Sequence, residues 1–346
     1  MKIGKWIGLL ASIISIYILW QIRELLLLLF TAVVLATAIN QLVQQFQKLR
    51  IKRSLAVLLS IIASLALAII FLLLIVPPFI EQFQDLVELL PSGLIRIQEW
   101  LNLLEERLLG RYPALPDINI LIEQTIQQIQ SLANQLFRNT FNFLILPINA
   151  LFQLLLVLVI TLMLLTNPQP YRQGFVKLFP SFYRKRVDEI LKLCESGLKS
   201  WTVGTLIEMV FIAALSGIGL WILQVPLALA HAILAGLLNI IPNIGPILSV
   251  VLPMAIALID APWKAGAVLI LYIVIQNIES YWLTPTVMAH QVSLLPAITL
   301  TAQIFFASFF GFLGLFLALP LTVVTKIWLE EVVIKDIMDN WNHASS

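Results

Sequence analysis

Leu237-Leu238-Asn239-Ile240-Ile241-Pro242-Asn243-Ile244-Gly245-Pro246-Ile247-Leu248 interrupts a run of 34 mostly apolar residues, Pro226 to Ile259. In hydrocarbon such a run is expected to be one helix, because no water is present to satisfy free backbone groups. Pro242, Gly245 and Pro246 forbid that helix: each proline lacks an N–H and clashes with the preceding turn. Irregular backbone at membrane depth survives only where protein or a water-filled cavity surrounds it. Broken helices of this kind line substrate and ion sites, so the stretch points to passage of a solute or ion.

The surrounding composition fits a membrane. Of 346 residues, 60% are hydrophobic and only 12% charged, about half the share of a soluble domain; mean hydropathy is +0.97. The net charge of +2 and the absence of a basic patch interleaved with aromatics give no sign of nucleic-acid binding. The single cysteine, Cys194, excludes an intrachain disulfide, and His231, His290 and His343 never fall at metal-ligand spacing. Neither a metal nor a cofactor is expected. No HExxH helix, phosphate-binding glycine loop or nucleophile elbow is present, so the chain reads as no enzyme and carries no ATP-driven motor of its own.

The fold class expected is all-α, a polytopic membrane protein with about eight hydrophobic segments. These are Ile3–Trp20, Leu25–Ile39, Leu55–Phe79, Phe141–Leu165, Val203–Leu223, the broken Pro226–Ile259, Ala265–Leu283 and Ala297–Leu329. The first reads as a retained helix, because its only signal-like cleavage site, Ala36-Thr37-Ala38, comes too late. The second has 15 residues and reaches only partway or lies with little tilt; Gln21–Glu24 is a tight connection before it. The last has 33 residues and contains Gly311, Gly314 and Pro320, so it too is interrupted, as a re-entrant hairpin or a kinked span.

Charge orients the chain. Lys48, Arg50, Lys52 and Arg53 follow the second segment, and Arg172 to Lys199 carries seven basic residues against three acidic; both loops are expected in the cytoplasm. Ile80–Thr140 carries four arginines against eight acids and is expected outside. Eight crossings then place both termini in the cytoplasm of a plasma (inner) membrane protein. Leu94, Ile97, Leu101, Leu104 and Leu108 form one apolar stripe in the external region, and Ile122, Ile126, Ile129, Ala133 and Leu136 a second. An amphipathic helical hairpin is the expectation, packing on itself or against another copy in a homo-oligomer. The division is thus 1–79, three membrane helices; 80–140, the extracytoplasmic region; 141–202, helix four and the basic loop; 203–329, the transport core; 330–346, the tail.

Charges inside apolar segments are rare because each costs roughly 3 kcal/mol on insertion scales. Glu208 and Glu279 are therefore candidate coupling or ion-binding groups: a carboxylate there holds a cation or exchanges a proton. Snorkelling of Glu208, its pairing with Lys199, or a polar lock at Glu279 are the alternatives. Asn239, Asn243, Gln276 and Asn277 are candidate polar residues of a substrate path, with helix capping as the alternative for the first and second. Pro242, Gly245, Pro246, Pro285, Gly311, Gly314 and Pro320 are candidate breaks or hinges.

Four boxes carry a resemblance. Leu237–Leu248 is similar to an Ile-Pro-aromatic-Ile-Gly-Pro signature, with Asn243 at the aromatic position. Ile278-Glu279-Ser280-Tyr281-Trp282-Leu283-Thr284-Pro285-Thr286-Val287-Met288 resembles an acidic Ile-Glu…Leu-Thr-Pro box, and Phe309–Leu321 a Phe-Gly…Pro-Leu ending. Gly219–Pro226 supplies the lead-in to the break. Together they resemble the autoinducer-2 exporter family, the PerM-like permeases, over nearly the whole chain. Ala289, Ser293 and Leu295 depart from that family's usual glycines and histidine. The resemblance implies a membrane transporter, an ion- or proton-coupled exporter of a small polar solute of the autoinducer-2 type. The family also includes Na⁺(Li⁺)/H⁺ antiporters, so a monovalent cation is the alternative cargo. An oligomeric scaffold or passive pore is the alternative of another class. The partners implied are the lipid bilayer, the solute or cation, and further copies of the chain, with no nucleic acid.

Overall fold

The computed structural model describes Ile14, residues 17–70, Leu73, Pro77, 148–288 and 296–339. The external hairpin expected at 80–140 and most of the first segment lie outside the described residues.

Every regular element among the described residues is helical. Helix α1 spans Arg23–Lys48, α2 Arg53–Ile70, α3 Ile148–Thr166 and α4 Pro168–Lys177. Helix α5 is Arg184–Ile222, α6 Ala228–Leu238, α7 Ile244–Asp260 and α8 Pro262–Ile278. A π-helical turn, Glu279–Leu283, joins α8 to α9, Thr284–Met288. Helix α10 is Pro296–Phe316 and α11 Ala318–Trp328, which continues as a π-helical tail, Leu329–Met338.

Among the described residues, five stretches are long and apolar enough to cross a bilayer: α1, α2, α5, Pro262–Val287 and Ala297–Phe316. A sixth counts if α3 and α4, bent by 97° at Asn167, are one span. The bend follows from Pro168 at the first helical position, which starts a helix well and denies α3 its continuation. The chain is a multi-pass membrane protein. Its outer faces are lined by large apolar groups such as Ile218, Trp221, Ile270, Ile304 and Phe312, which in a bilayer meet lipid tails.

The expectation for the second segment needs correction. Its helix is longer than the apolar run and long enough to cross: α1 has 26 residues, about 39 Å at 1.5 Å per residue. Apolarity stops near Ile39, but Gln, Leu and Lys are good helix formers and carry the helix on to Lys48. The connection before α1 is tight: the helix breaks only at Ile22 (φ −95°, ψ 10°), Leu26 N–H donates to Ile22 O at 3.0 Å, and Arg23 lies over the Trp20 ring at 4.5 Å.

By its contacts the chain divides into two units. The first comprises Met1–Ala66, Ala150–Gly204 and Met288–Ser346. Its core gathers Leu27 and Val34 of α1, Leu198 and Trp201 of α5, and Leu317 before α11. A further cluster joins Val43, Ala56, Val57 and Leu165. Arg53 donates to Leu165 O at 3.0 Å and so serves a carbonyl that the end of α3 leaves free. Gly197 of α5 admits Val323 and Ile327 of α11 to within 3.0 Å of where a Cβ would stand.

The second unit comprises Leu67–Asn149 and Thr205–Val287. Its described part holds the apolar section of α5 with α6 to α9 around Ile212, Leu220, Ala235, Ala257, Val268, Tyr272 and Ile275. Helices approach closely here because their contact residues are small, the usual device where lipid is as apolar as leucine. A Cβ on Gly236 would meet Met209 O at 2.4 Å, and one on Gly219 would meet Leu271 at 2.4 Å. Asp260 and Lys264 pair across the turn at Pro262, as their spacing implies.

Candidate functional site

The proline box does what its chemistry dictates. Helix α6 ends at Leu238 and α7 starts at Ile244; with 11 and 17 residues they measure about 17 and 26 Å, and the two pack on each other. Pro246 sits in the first turn of α7, where its missing N–H has no intrahelical partner to lose. Ile244 N–H donates to Pro242 O at 2.8 Å across Asn243, whose φ of 67° and ψ of −46° define a γ-turn. That conformation is strained for any side chain. Gly245 is held against α6: a Cβ there would sit 1.9 Å from Leu238 O. The freed backbone is otherwise satisfied locally, Gly245 N–H donating to Ile241 O at 2.8 Å.

Ending α6 at Leu238 leaves Asn239 as its C-terminal cap, pointing inward and only 3% exposed. Its Nδ2 donates to Glu279 Oε1 at 2.7 Å. Gln276, one turn before Glu279 on α8, donates through Nε2 to Oε2 at 3.0 Å. Glu279 is 7% exposed, so both of its oxygens are removed from water and served by neutral amides. Asn239 Oδ1 is buried and has no hydrogen-bond partner among the described residues.

The second carboxylate is held by a residue that the sequence reading passes over. Glu208 is 5% exposed, and its Oε1 accepts from the Thr284 hydroxyl at 2.9 Å. It neither snorkels nor pairs with Lys199 of its own helix. Thr284 reaches it because Pro285 cannot continue α8 regularly: the backbone widens into the π turn, and Thr284 N–H donates to Glu279 O, five residues back. Trp282, within that turn, lies 5.7 Å from Phe211 of α5, ring centre to ring centre, and helps dock the turn on α5. The Thr-Pro pair after a buried acid was the available signal. Neither glutamate forms an ion pair among the described residues, and no group of three or more metal-ligating side chains occurs among them.

The other candidates disperse. Asn277 is exposed, donating to Ile273 O on its own helix, and Asn243 is exposed at the γ-turn. Thus Glu279, Asn239 and Gln276 are brought together, Glu208 stands beside Thr284, and Asn243 and Asn277 stand apart from both. Gly311, Gly314 and Pro320 belong to the first unit. Gly311 breaks α10 with φ 63° and ψ −146°, a region open to glycine almost alone. Pro320 occupies the first turn of α11.

Comparison with known proteins agrees with this architecture. The profile of the AI-2E family transporter matches residues 9–334. The AI-2 transport protein TqsA of Escherichia coli (strain K12) is 27% identical over 317 residues, covering 89% of this chain and 86% of that protein. YhhT of the same strain is 26% identical over 312 residues, covering 89% and 84%. YueF of Bacillus subtilis (strain 168) is 30% identical over 158 residues, a match that covers 46% of this chain and 43% of that protein. With nearly its full length matched by one profile, the chain belongs to the AI-2E family of membrane transporters.

Proposed function

We propose that this transporter is an ion- or proton-coupled exporter of a small polar solute of the autoinducer-2 type, with Glu279 as its principal coupling group and Glu208 as a second. One observation carries the reading: a buried carboxylate beside a helix break, both oxygens bonded to neutral amides. A carboxylate kept from water without a fixed cation is balanced by one that comes and goes, a proton or a monovalent ion. The name of TqsA, an AI-2 transport protein, supports the solute class.

The alternation of basic and acidic loops supports an inner-membrane orientation with both termini cytoplasmic, and the apolar stripes of 94–108 and 122–136 support assembly as a homo-oligomer. Glu279→Gln, which keeps the shape and removes the charge, should lower pH-dependent flux in proteoliposomes at least tenfold. Unchanged flux would remove Glu279 from the mechanism. The second reading is a Na⁺(Li⁺)/H⁺ antiporter, which the same neutral-donor setting favours. It requires that an imposed Na⁺ or Li⁺ gradient alone move protons.

A further inference from the structure

Two buried carboxylates used by one transporter must share their ion if they are to act as one step. The structure contains a chain of hydrogen bonds that mechanically links the residues bearing them. Thr284 Oγ1 donates to Glu208 Oε1, Thr284 N–H donates to Glu279 O across the π turn, and the Glu279 carboxylate accepts from Asn239 and Gln276. The turn has five residues; one acid is its first residue, and the residue holding the other follows directly after its last. Its wide hydrogen bond is a deformable element, since single π turns are irregular and sit at points where helices yield.

We infer that Thr284 is the positioning residue that joins Glu208 and Glu279 into one ion-exchange unit, with the π turn Glu279–Leu283 as the mechanical link; this rests on the coupled-transport reading above. A hydroxyl serves Glu208 in either charge state. It donates to the carboxylate, and it rotates to accept from the carboxylic acid, keeping the link closed through the exchange. Uptake of a proton or cation at Glu279 changes the bonds made by its amides. The strain passes through one backbone hydrogen bond to Thr284 and so to Glu208. Other titratable groups lie on these packed elements. His231 on α6 and Tyr272 on α8 are the remaining buried ones in the described unit, Asp260 and Lys264 pair with each other, and Tyr281 is exposed.

The test uses the full-length protein in lipid vesicles with Thr284→Val, which removes the hydroxyl and keeps the shape, and Thr284→Ser, which restores it. Difference infrared spectroscopy between alkaline and acidic buffer reads the carbonyl bands of the two acids, assigned by Glu208→Gln and Glu279→Gln. Thr284→Val should move the Glu208 band and displace the Glu279 titration by roughly tenfold in proton concentration, the scale of one hydrogen bond to a charged group. Thr284→Ser should return both to the wild-type position. A Glu279 titration unmoved by Thr284→Val overturns the inference, even if flux falls, because a packing defect lowers flux without shifting the titration of the other acid. Proton-driven flux that survives Glu279→Gln overturns the coupling reading instead, and the infrared titration still decides whether the acids are linked.

Discussion

Two carboxylate clusters among the described residues, one in each unit, differ in kind in their surroundings. In the first unit, Arg186 of α5 reaches Glu331 Oε2 at 2.7 Å and Asp336 Oδ1 at 3.0 Å on the π-helical tail. Lys335 closes on Glu331 from the other side, and the Tyr183 hydroxyl donates to Asp336. In the second unit, Glu279 and Glu208 have amide and hydroxyl donors and no fixed cation among the described residues. Permanent cations fix a charge state and with it a shape. Neutral donors leave the counter-ion exchangeable. The first cluster is therefore a clamp, the second a candidate exchange site.

The sharpest way to break this contrast is to remove one partner from each cluster and measure stability. Arg186→Met leaves Glu331 and Asp336 without their shared cation and should destabilise the protein by about 2 kcal/mol, within the range for hydrogen bonds to charged groups. Glu279→Gln removes a charge that has no fixed counter-ion. It should leave stability within about 1 kcal/mol of wild type, or raise it. Thermal unfolding in detergent checks both. Equal losses would mean that Glu279 is as structural as Arg186, and the contrast would fall.

A smaller effect is expected at the break itself. Asn243 holds positive φ in its γ-turn with an exposed side chain that makes no hydrogen bond among the described contacts. Asn243→Gly should relieve strain and stabilise the protein by about 1 kcal/mol, offset in part by the freedom that glycine adds to the unfolded chain. The same unfolding measurement reads it. A loss of stability would show that the asparagine side chain contributes more than its conformation costs.

The legible parts of this protein were those with local causes. Proline and glycine placed the breaks at Pro242–Pro246 and Gly311–Pro320, because backbone sterics act within a turn. Rarity of charge in apolar segments singled out Glu208 and Glu279, because desolvation is a property of the residue and its neighbours. Pairings at a distance were not legible. Asn239 meets Glu279 across 40 positions, and Arg186 meets Asp336 across 150; no periodicity encodes such contacts. The hydrogen bond from Thr284 to Glu208 is not legible because it arises from a π turn, one step removed from the proline that causes it. The extent of α1 was underread because apolarity marks where lipid ends, and helix propensity carries on past it.

The smallest expected effect concerns pH and separates the clusters once more. The Arg186 hydrogen bond, helped by Tyr183, holds the Asp336 carboxyl below its ordinary range. Lys335 first and then Arg186 do the same for Glu331. Burial, with the Asp336 carboxylate beside it, pushes the Tyr183 phenol up to about 12, so it stays a donor at all physiological pH. A carboxylate whose folded pKa is depressed contributes its stability above the unfolded value and loses it as pH falls through the folded value. The clamp should therefore be intact from neutral pH down to about 4 and weaken below it. Its groups are partly exposed, so water screens them and the loss should stay within about 1 kcal/mol. Trp328, stacked on Phe179 at 6.1 Å beside the start of the tail, offers a fluorescence readout. Its signal should change only below pH 4 in the wild type, while Arg186→Met should show the altered signal already at neutral pH; a wild-type transition near neutral pH would mean that these carboxyls are not held ionised by Arg186 and Lys335.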